Sequence, residues 1–317
     1  MFSIEIKKED GFEKIILKDK GSNTTAAILP ECGAILHSFE IEKNNKQINV
    51  IDSYPSKVAF DEHAESEGFL GSKLSPFVCR LRNGAYHFVG KDYKIEGFYL
   101  QQHAIHGIIY RKAFSVFAQN TNDDLASVSM KYEYMAEDKG YPFYYDCIVT
   151  WQLEKNNLLT VITECINRDK VAIPMQDGWH PYFQLGSPVD ELMFQFQSKE
   201  KVEFDDDLLP TKRLKKYDEF NSSKKIGTTS FDNCFTLNRK AAQPLCILGD
   251  ADKKIQIEII PDTSYPYLQI YIPPHRKSIA IENLSGAPDA FNNGMGVITL
   301  EPEQSAVFRT AYKIASL

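Results

Sequence analysis

The run YDCIVTWQLEKNNLLTVITEC, residues 145–165, decides how the rest of the chain is read. Tyr145, Cys147, Val149, Trp151 and Leu153 recur at every second position, polar residues 154–157 interrupt, and Leu159, Val161, Thr163 and Cys165 resume the same period. Successive side chains of a strand leave opposite faces of its sheet, so this period describes two half-buried strands. The interruption between them marks a turn, and a turn that short makes the pair antiparallel.

The same pattern extends outward in both directions. Ile4 and Ile6 alternate with charged residues, Asp10-Gly11 is a tight-turn dipeptide, and Ile15 and Leu17 continue beyond it, which reads as a β-hairpin. Toward the other end Ile255, Ile257 and Ile259 alternate with Gln and Glu, Leu268, Ile270 and Ile272 do likewise, and Ile279 and Ile281 begin a further strand. No segment of 12 or more residues keeps a 3.6-residue period; the acidic residues 61–67 suit only a helical turn. The Lys- and Ser-rich residues 211–226 read as one exposed, mobile loop, and no linker, low-complexity tract or fixed-period repeat divides the chain. The expectation is an all-β protein: a single large antiparallel β-sandwich forming one domain over residues 1–317.

Composition narrows the functions open to such a fold. With 43% hydrophobic and 25% charged residues the chain can build a core, and a formal charge of −7 gives no basic face for a phosphate backbone, so nucleic acid is excluded as a partner. The opening MFSIEIKKEDGF lacks the layout of an export signal, and no run approaches the roughly 18 apolar residues of a membrane span. The expected setting is cytoplasmic, with no membrane partner. Six cysteines at 32, 79, 147, 165, 234 and 246 include no C-x-x-C pair, so reduced thiols are expected, several of them buried.

Five stretches combine ionisable side chains with aromatic and Gly/Pro punctuation: SPFVCRLRNGAYHF (75–88), HAIHGIIYR (103–111), DGWHPYFQLG (177–186), SFDNCF (230–235) and IAIENLSGAPDAFN (279–292). His180 is the foremost proton-transfer group, because only imidazole titrates near working pH without help; the other reading is a buried histidine satisfied by hydrogen bonds. Its neighbours Trp179, Tyr182 and Phe183 offer apolar faces suited to the C–H surface of a sugar. Glu282 alternates with Ile279 and Ile281 and so leaves the opposite face, either into solvent or onto the floor of a cleft as a general base. Arg80 and Arg82 share one face of a strand, and Asp232, framed by Phe231 and Phe235, is a hydroxyl acceptor or a turn cap. His103 and His106 form H-x-x-H, but no helix aligns them and no spacing marks a third ligand, so no metal is expected; His106 is read as a hydrogen-bonding residue and His103 as a loop or surface one. No nucleophile elbow, P-loop or dinucleotide fingerprint is present, so no nucleotide cofactor is expected.

Taken in order, these stretches resemble the aldose 1-epimerase (galactose mutarotase) family over roughly residues 25–313. HPYF at 180–183 resembles the family's His-Pro-Tyr-Phe-Asn-Leu, CRLRNG at 79–84 its Asn-Arg-Ile-Ala-Asn-Gly, His106-Gly107 its His-Gly, and IENLSGAPDAFN its C-terminal Leu-Glu…Pro-Asp-Ala…Asn segment. The resemblance implies a supersandwich with a sugar cleft, no metal or organic cofactor, and a small-molecule sugar substrate. It casts His180 as general acid at the ring oxygen and Glu282 as general base at the anomeric hydroxyl, with Arg80, His106, Asp232 and Gln269 binding the sugar. The implied activity is isomerisation, the interconversion of α- and β-anomers of an aldohexose by ring opening and reclosure, in a monomer or homodimer. Cys79, Ile108 and Gln184 depart from the family motifs, replacing an asparagine, a glycine and an asparagine, and bear on which sugar is taken.

Two alternatives accompany this reading. A hexose-6-phosphate 1-epimerase would use Lys73, Arg80, Arg82, Arg111 and Lys112 as a phosphate site. A catalytically silent carbohydrate-binding protein would keep the cleft without turnover, although binding alone has no need of both His180 and Glu282. A glycoside hydrolase would want two carboxylates flanking a bond, and only Glu282 is well marked.

Overall fold

The computed structural model describes residues 1–317, and its elements are almost all antiparallel strands. The stretch around residues 145–165 forms the pair Tyr144–Glu154 and Leu158–Asn167, with Cys147 opposite Cys165 and Trp151 opposite Val161. This pair sits within a nine-stranded sheet whose spatial order is Ser115–Thr121, Leu125–Met135, Tyr144–Glu154, Leu158–Asn167, Ser305–Ser316, Ile255–Pro261, Cys246–Asp250, Met193–Phe196 and Lys224–Lys225. A second sheet runs Pro210–Lys216, Ser198–Phe204, Asp232–Leu237, Tyr267–Tyr271, Ile279–Leu284, Gly178–His180 and Ser72–Leu74, with the short Tyr182–Phe183 and Ile51–Asp52 beside it. Residues 2–49 add a five-stranded meander that begins with the expected hairpin, Phe2–Glu9 against Phe12–Asp19.

Alternation explains how the two large sheets close on each other. Trp151 meets Trp179 edge-on with ring centroids 5.4 Å apart, and Tyr312 meets Phe183 at 5.6 Å, so inward residues of both sheets interdigitate as in other sandwiches. One buried apolar cluster reaches from Phe2 through Trp151, Trp179 and Ile281 to Ile314. The fold is the all-β antiparallel sandwich expected, and the strand Ile279–Leu284 is buried on both faces: Ile279 and Ile281 enter the core, and Glu282 leaves the other side.

Two local expectations need correction. Residues 211–226 are not one loop, since Pro210–Lys216 is a strand paired with Ser198–Phe204, and Phe220 and Ile226 are buried. Charged residues on that strand hid its pairing, because an edge strand can be solvated along most of its length. The helical turn expected at residues 61–67 overlaps a helix that starts earlier, Lys57–His63, where the Ser56 Oγ accepts the Ala59 N–H at 3.2 Å. The HPYF segment is two short strands, Gly178–His180 and Tyr182–Phe183, separated by Pro181. All six cysteines are free and buried.

Candidate active site

Two interrupted β-ladders create the cleft. Trp179 pairs with Asn283 and Tyr182 with Ala280, and continuing that register across the gap puts His180 opposite Glu282 and Pro181 opposite Ile281. Proline has no N–H to give the ladder, so the pairing breaks there, although the Ile281 N–H still reaches the Pro181 carbonyl at 3.3 Å. Directly opposed side chains meet, and the His180 Nε2 lies 3.4 Å from a Glu282 carboxylate oxygen.

The second ladder pairs Arg80 with Ile105 and ends where the His106 N–H donates to the Cys79 carbonyl at 2.9 Å. Both end residues leave the extended conformation for the left-handed region, with φ of 50° at Cys79 and 62° at His106, a strained geometry for side chains other than glycine. Gly107 follows because nothing larger fits: its φ is 77°, and a Cβ there would stand 2.2 Å from the Ser75 carbonyl oxygen.

These ladders surround a cleft of about 260 Å³. Cys79, Arg80, His106, His180, Asp232, Gln269 and Glu282 all line it, together with Phe69, Tyr182 and Tyr271. Every expected site residue is therefore present in one place. The His180 ring stacks on Tyr182 with centroids 5.0 Å apart, and His106 is wedged between His180 and Phe69 at 4.9 and 4.6 Å. Gln269 lies opposite Glu282 in the sheet and donates to Asp232 at 2.9 Å. The His106 Nδ1, His180 Nδ1 and Gln269 Oε1 are buried without a partner in the protein, so each is free to bond a polar ligand.

Burial governs the charges. It pushes His180 down to about 3, slightly opposed by a backbone hydrogen bond, and holds His106 well below the usual imidazole range, reinforced by the charges of His180 and Arg80. Glu282 is held well above the usual carboxylate range by burial and then by the Asp232 charge, against the opposing pull of Cys79 and Arg80. Burial also raises Asp232, opposed by Arg80 and Gln269, and raises the Cys79 thiol strongly, with Glu282 adding to it. A dry His–Glu pair thus keeps one proton between its members, and the neutral arrangement is favoured.

Several expected roles move. Trp179 and Phe183 face the core, and only Tyr182 of the three aromatics beside His180 lines the cleft, because alternation sends 180 and 182 to one side and 179 and 183 to the other. His103 is buried, not a surface residue: its Nδ1 accepts the Asn83 N–H at 3.0 Å, and it does not join His106 in the cleft. Arg80 and Arg82 do not share a face, because the strand ends at Leu81 and Arg82 begins a tight turn, where it pairs with Asp205 at 2.6 Å. Lys73 is fully buried on Asp177, Arg111 pairs with Glu65, and Lys112 pairs with Glu137 at 2.9 Å. Of the five cations considered for a phosphate, only Arg80 lines the cleft. Sequence reasoning missed Phe69 and Glu65 in the cleft wall; the bracketing Gly68 and Gly71 were the one signal that the chain around Phe69 turns sharply.

Comparison with known proteins identifies relatives of the chain and of its fold. The chain is 28% identical over 244 residues to the uncharacterized protein YihR of Escherichia coli strain K12, covering 73% of this chain and 75% of that one. Its fold matches a galactose mutarotase-like protein from Clostridium acetobutylicum with a TM-score of 0.88 at 18% identity, covering 100% and 99% of the two chains. The galactose 1-epimerase of Lactobacillus acidophilus NCFM matches with a TM-score of 0.82, also at 18% identity and with coverage of 100% and 99%. The family model for aldose 1-epimerase matches residues 14–313, nearly the whole chain, and with the galactose mutarotase-like fold this establishes that the protein belongs to the aldose 1-epimerase family.

Proposed function

We propose that this protein is an aldose 1-epimerase that interconverts the α- and β-anomers of an unphosphorylated aldohexose. The observation that carries the reading is the contact of His180 with Glu282, 3.4 Å apart and buried at the base of the cleft. Anomer exchange needs an acid and a base at two oxygens bonded to one carbon, and an opposed pair on adjacent strands supplies both within that span. The cleft lies near the roughly 300 Å³ lower end of ligand pockets, a size for one sugar ring. Its single cation, Arg80, together with the pairing of Lys73, Arg82, Arg111 and Lys112 elsewhere, favours a neutral sugar over a phosphorylated one.

In this mechanism Glu282 takes the proton of the C1 hydroxyl while His180 gives a proton to the ring oxygen. The C1–ring-oxygen bond breaks to an aldehyde, rotation about C1–C2 turns the other carbonyl face inward, and the two groups exchange roles on reclosure. One proton stays on the pair throughout: it begins on His180 opposite an ionised Glu282 and after ring opening resides on Glu282 opposite neutral His180. Burial favours the second distribution, so ring opening starts from the minor, ionised form of the pair and ends on the favoured neutral one. Arg80 steadies the ionised Glu282, and His106, Gln269 and Asp232 hold hydroxyls.

The test is the rate of anomer interconversion of freshly dissolved α-D-galactose, α-D-glucose and α-D-glucose 6-phosphate, followed by polarimetry. Acceleration on the neutral sugars that disappears in Glu282→Gln and His180→Asn supports the proposal. Preference for the phosphate ester would replace it with the hexose-6-phosphate reading, and sugar binding without acceleration would make the protein a silent binder.

A further inference from the structure

Cys79, His106 and Glu282 bring ligand atoms within 4.8 Å of one another, and all three residues are buried. His180 adjoins the group, with its Nε2 3.4 Å from Glu282 and its ring 4.9 Å from that of His106. The proposed chemistry does not use the thiol, yet Cys79 directs its sulfur at the second Glu282 oxygen, 3.9 Å away. One sulfur, two imidazoles and a carboxylate form a donor set for Zn²⁺, Co²⁺ or Cd²⁺ and a poor one for Mg²⁺ or Ca²⁺, which take oxygen.

Geometry and charge agree with that donor set. Ligands held tetrahedrally about 2.0–2.3 Å from zinc lie about 3.3–3.8 Å from one another, so small side-chain rotations close the cluster. The ligands sit at fixed positions, Glu282 opposite His180 on one ladder and His106 bonded to Cys79 at the end of the other. On binding, the thiol and the carboxyl release their protons to solvent, and a thiolate and a carboxylate then balance a divalent cation, leaving no net charge in a buried space.

We propose that the cleft binds one thiophilic divalent cation, of which Zn²⁺ is the type, through Cys79, His106 and Glu282 with His180 as fourth ligand, and that this ion excludes the sugar. The exclusion rests on the function proposed above; the metal site does not.

Titration of the metal-free protein with Co²⁺ tests the site without an activity assay. The expected result is a near-ultraviolet thiolate-to-cobalt charge-transfer band that saturates at about one equivalent, as a single site requires. Zn²⁺ should displace the band, Mg²⁺ should not, Cys79→Ser should abolish it, and His106→Gln should weaken cobalt affinity by about tenfold or more. No band, or a band that persists in Cys79→Ser, overturns the site. X-ray absorption of the zinc-loaded wild-type protein requires no variant to fold: one sulfur with nitrogen and oxygen ligands supports the site, and a sulfur-free shell refutes it. Zn²⁺ should also raise the apparent KM of anomer exchange with kcat unchanged. A cobalt band in a protein that accelerates no anomer exchange leaves the metal site standing and removes the epimerase reading, whereas acceleration without a band does the reverse.

Discussion

In the proposed mechanism, Glu282 sets stability against use at a single residue. Its carboxyl is buried and its pKa held up, so ionising it in the fold costs free energy that the unfolded chain does not incur. A raised folded-state pKa gives stability that is complete below the unfolded pKa and lost as pH rises through the folded one. Glu282→Gln should therefore melt at a higher temperature than wild type, with the gap widening from pH 5 to pH 8, while turnover falls by about 10²–10⁴-fold. Melting curves at both pH values check the first half, and a gap that narrows as pH rises would contradict it. In the proposed mechanism the same pair sets the pH profile of kcat/KM. A second proton joins it only near the depressed His180 value of about 3, so the rate should show no acid limb between pH 5 and 7, where an ordinary histidine would give one. On the alkaline side the rate should fall as the pair loses its only proton. A limb near pH 6.5, after subtraction of the uncatalysed rate, would show that His180 is not desolvated in the working enzyme.

At the scale of elements, the site exists because two ladders stop at defined places. Strands Gly178–His180 and Ser72–Leu74 lie side by side, and the Lys73–Asp177 pair beneath them is fully buried, with Lys73 also donating to the Gly178 carbonyl at 3.0 Å and Asp177 accepting from the Tyr265 hydroxyl at 2.6 Å. Lys73→Met leaves a buried carboxylate unpaired and should cost about 3–5 kcal/mol in urea denaturation, with much of the loss recovered in the Lys73→Met, Asp177→Asn double variant. A loss below 1 kcal/mol would mean that water reaches Asp177. Gly107→Ala places a Cβ against the Ser75 carbonyl at a left-handed φ; the shift this forces on His106 should lower kcat/KM as well as the melting temperature. Much of this level was legible in the sequence, because period-two alternation located the strands around Trp151, Ile257 and Ile281 and gave Glu282 its face. The pairing of strands was not legible. Nothing local to HPYF shows that Pro181 interrupts a ladder with Ile279–Leu284, and nothing local to Lys73 shows that its counterion is Asp177, over a hundred positions away. The charged strand Pro210–Lys216 was missed for a related reason: its neighbours, not its own residues, make it a strand.

For the whole molecule, the question is whether these sheets can come apart. The strand Ser305–Ser316 lies between Leu158–Asn167 and Ile255–Pro261 in the middle of the larger sheet, so residues from three distant parts of the chain complete one another's hydrogen bonds. The N-terminal meander shares the same buried cluster through Ile15, Ile28 and Phe39, and the Trp151 indole N–H reaches the Ala34 carbonyl at 2.8 Å. We therefore propose that the chain is one cooperative unit. An autonomous meander would have to expose Ile15, Leu17 and Phe39 on release, and each such side chain contributes roughly 1.5–3 kcal/mol when buried. Detachment would thus remove much of the 5–15 kcal/mol that typically separates folded from unfolded protein. Calorimetry should accordingly show a single transition with calorimetric and van't Hoff enthalpies in agreement, and Phe39→Ala should lower its midpoint without splitting it. A separate early transition, shifted by Phe39→Ala while the main one stays fixed, would divide the meander from the sandwich.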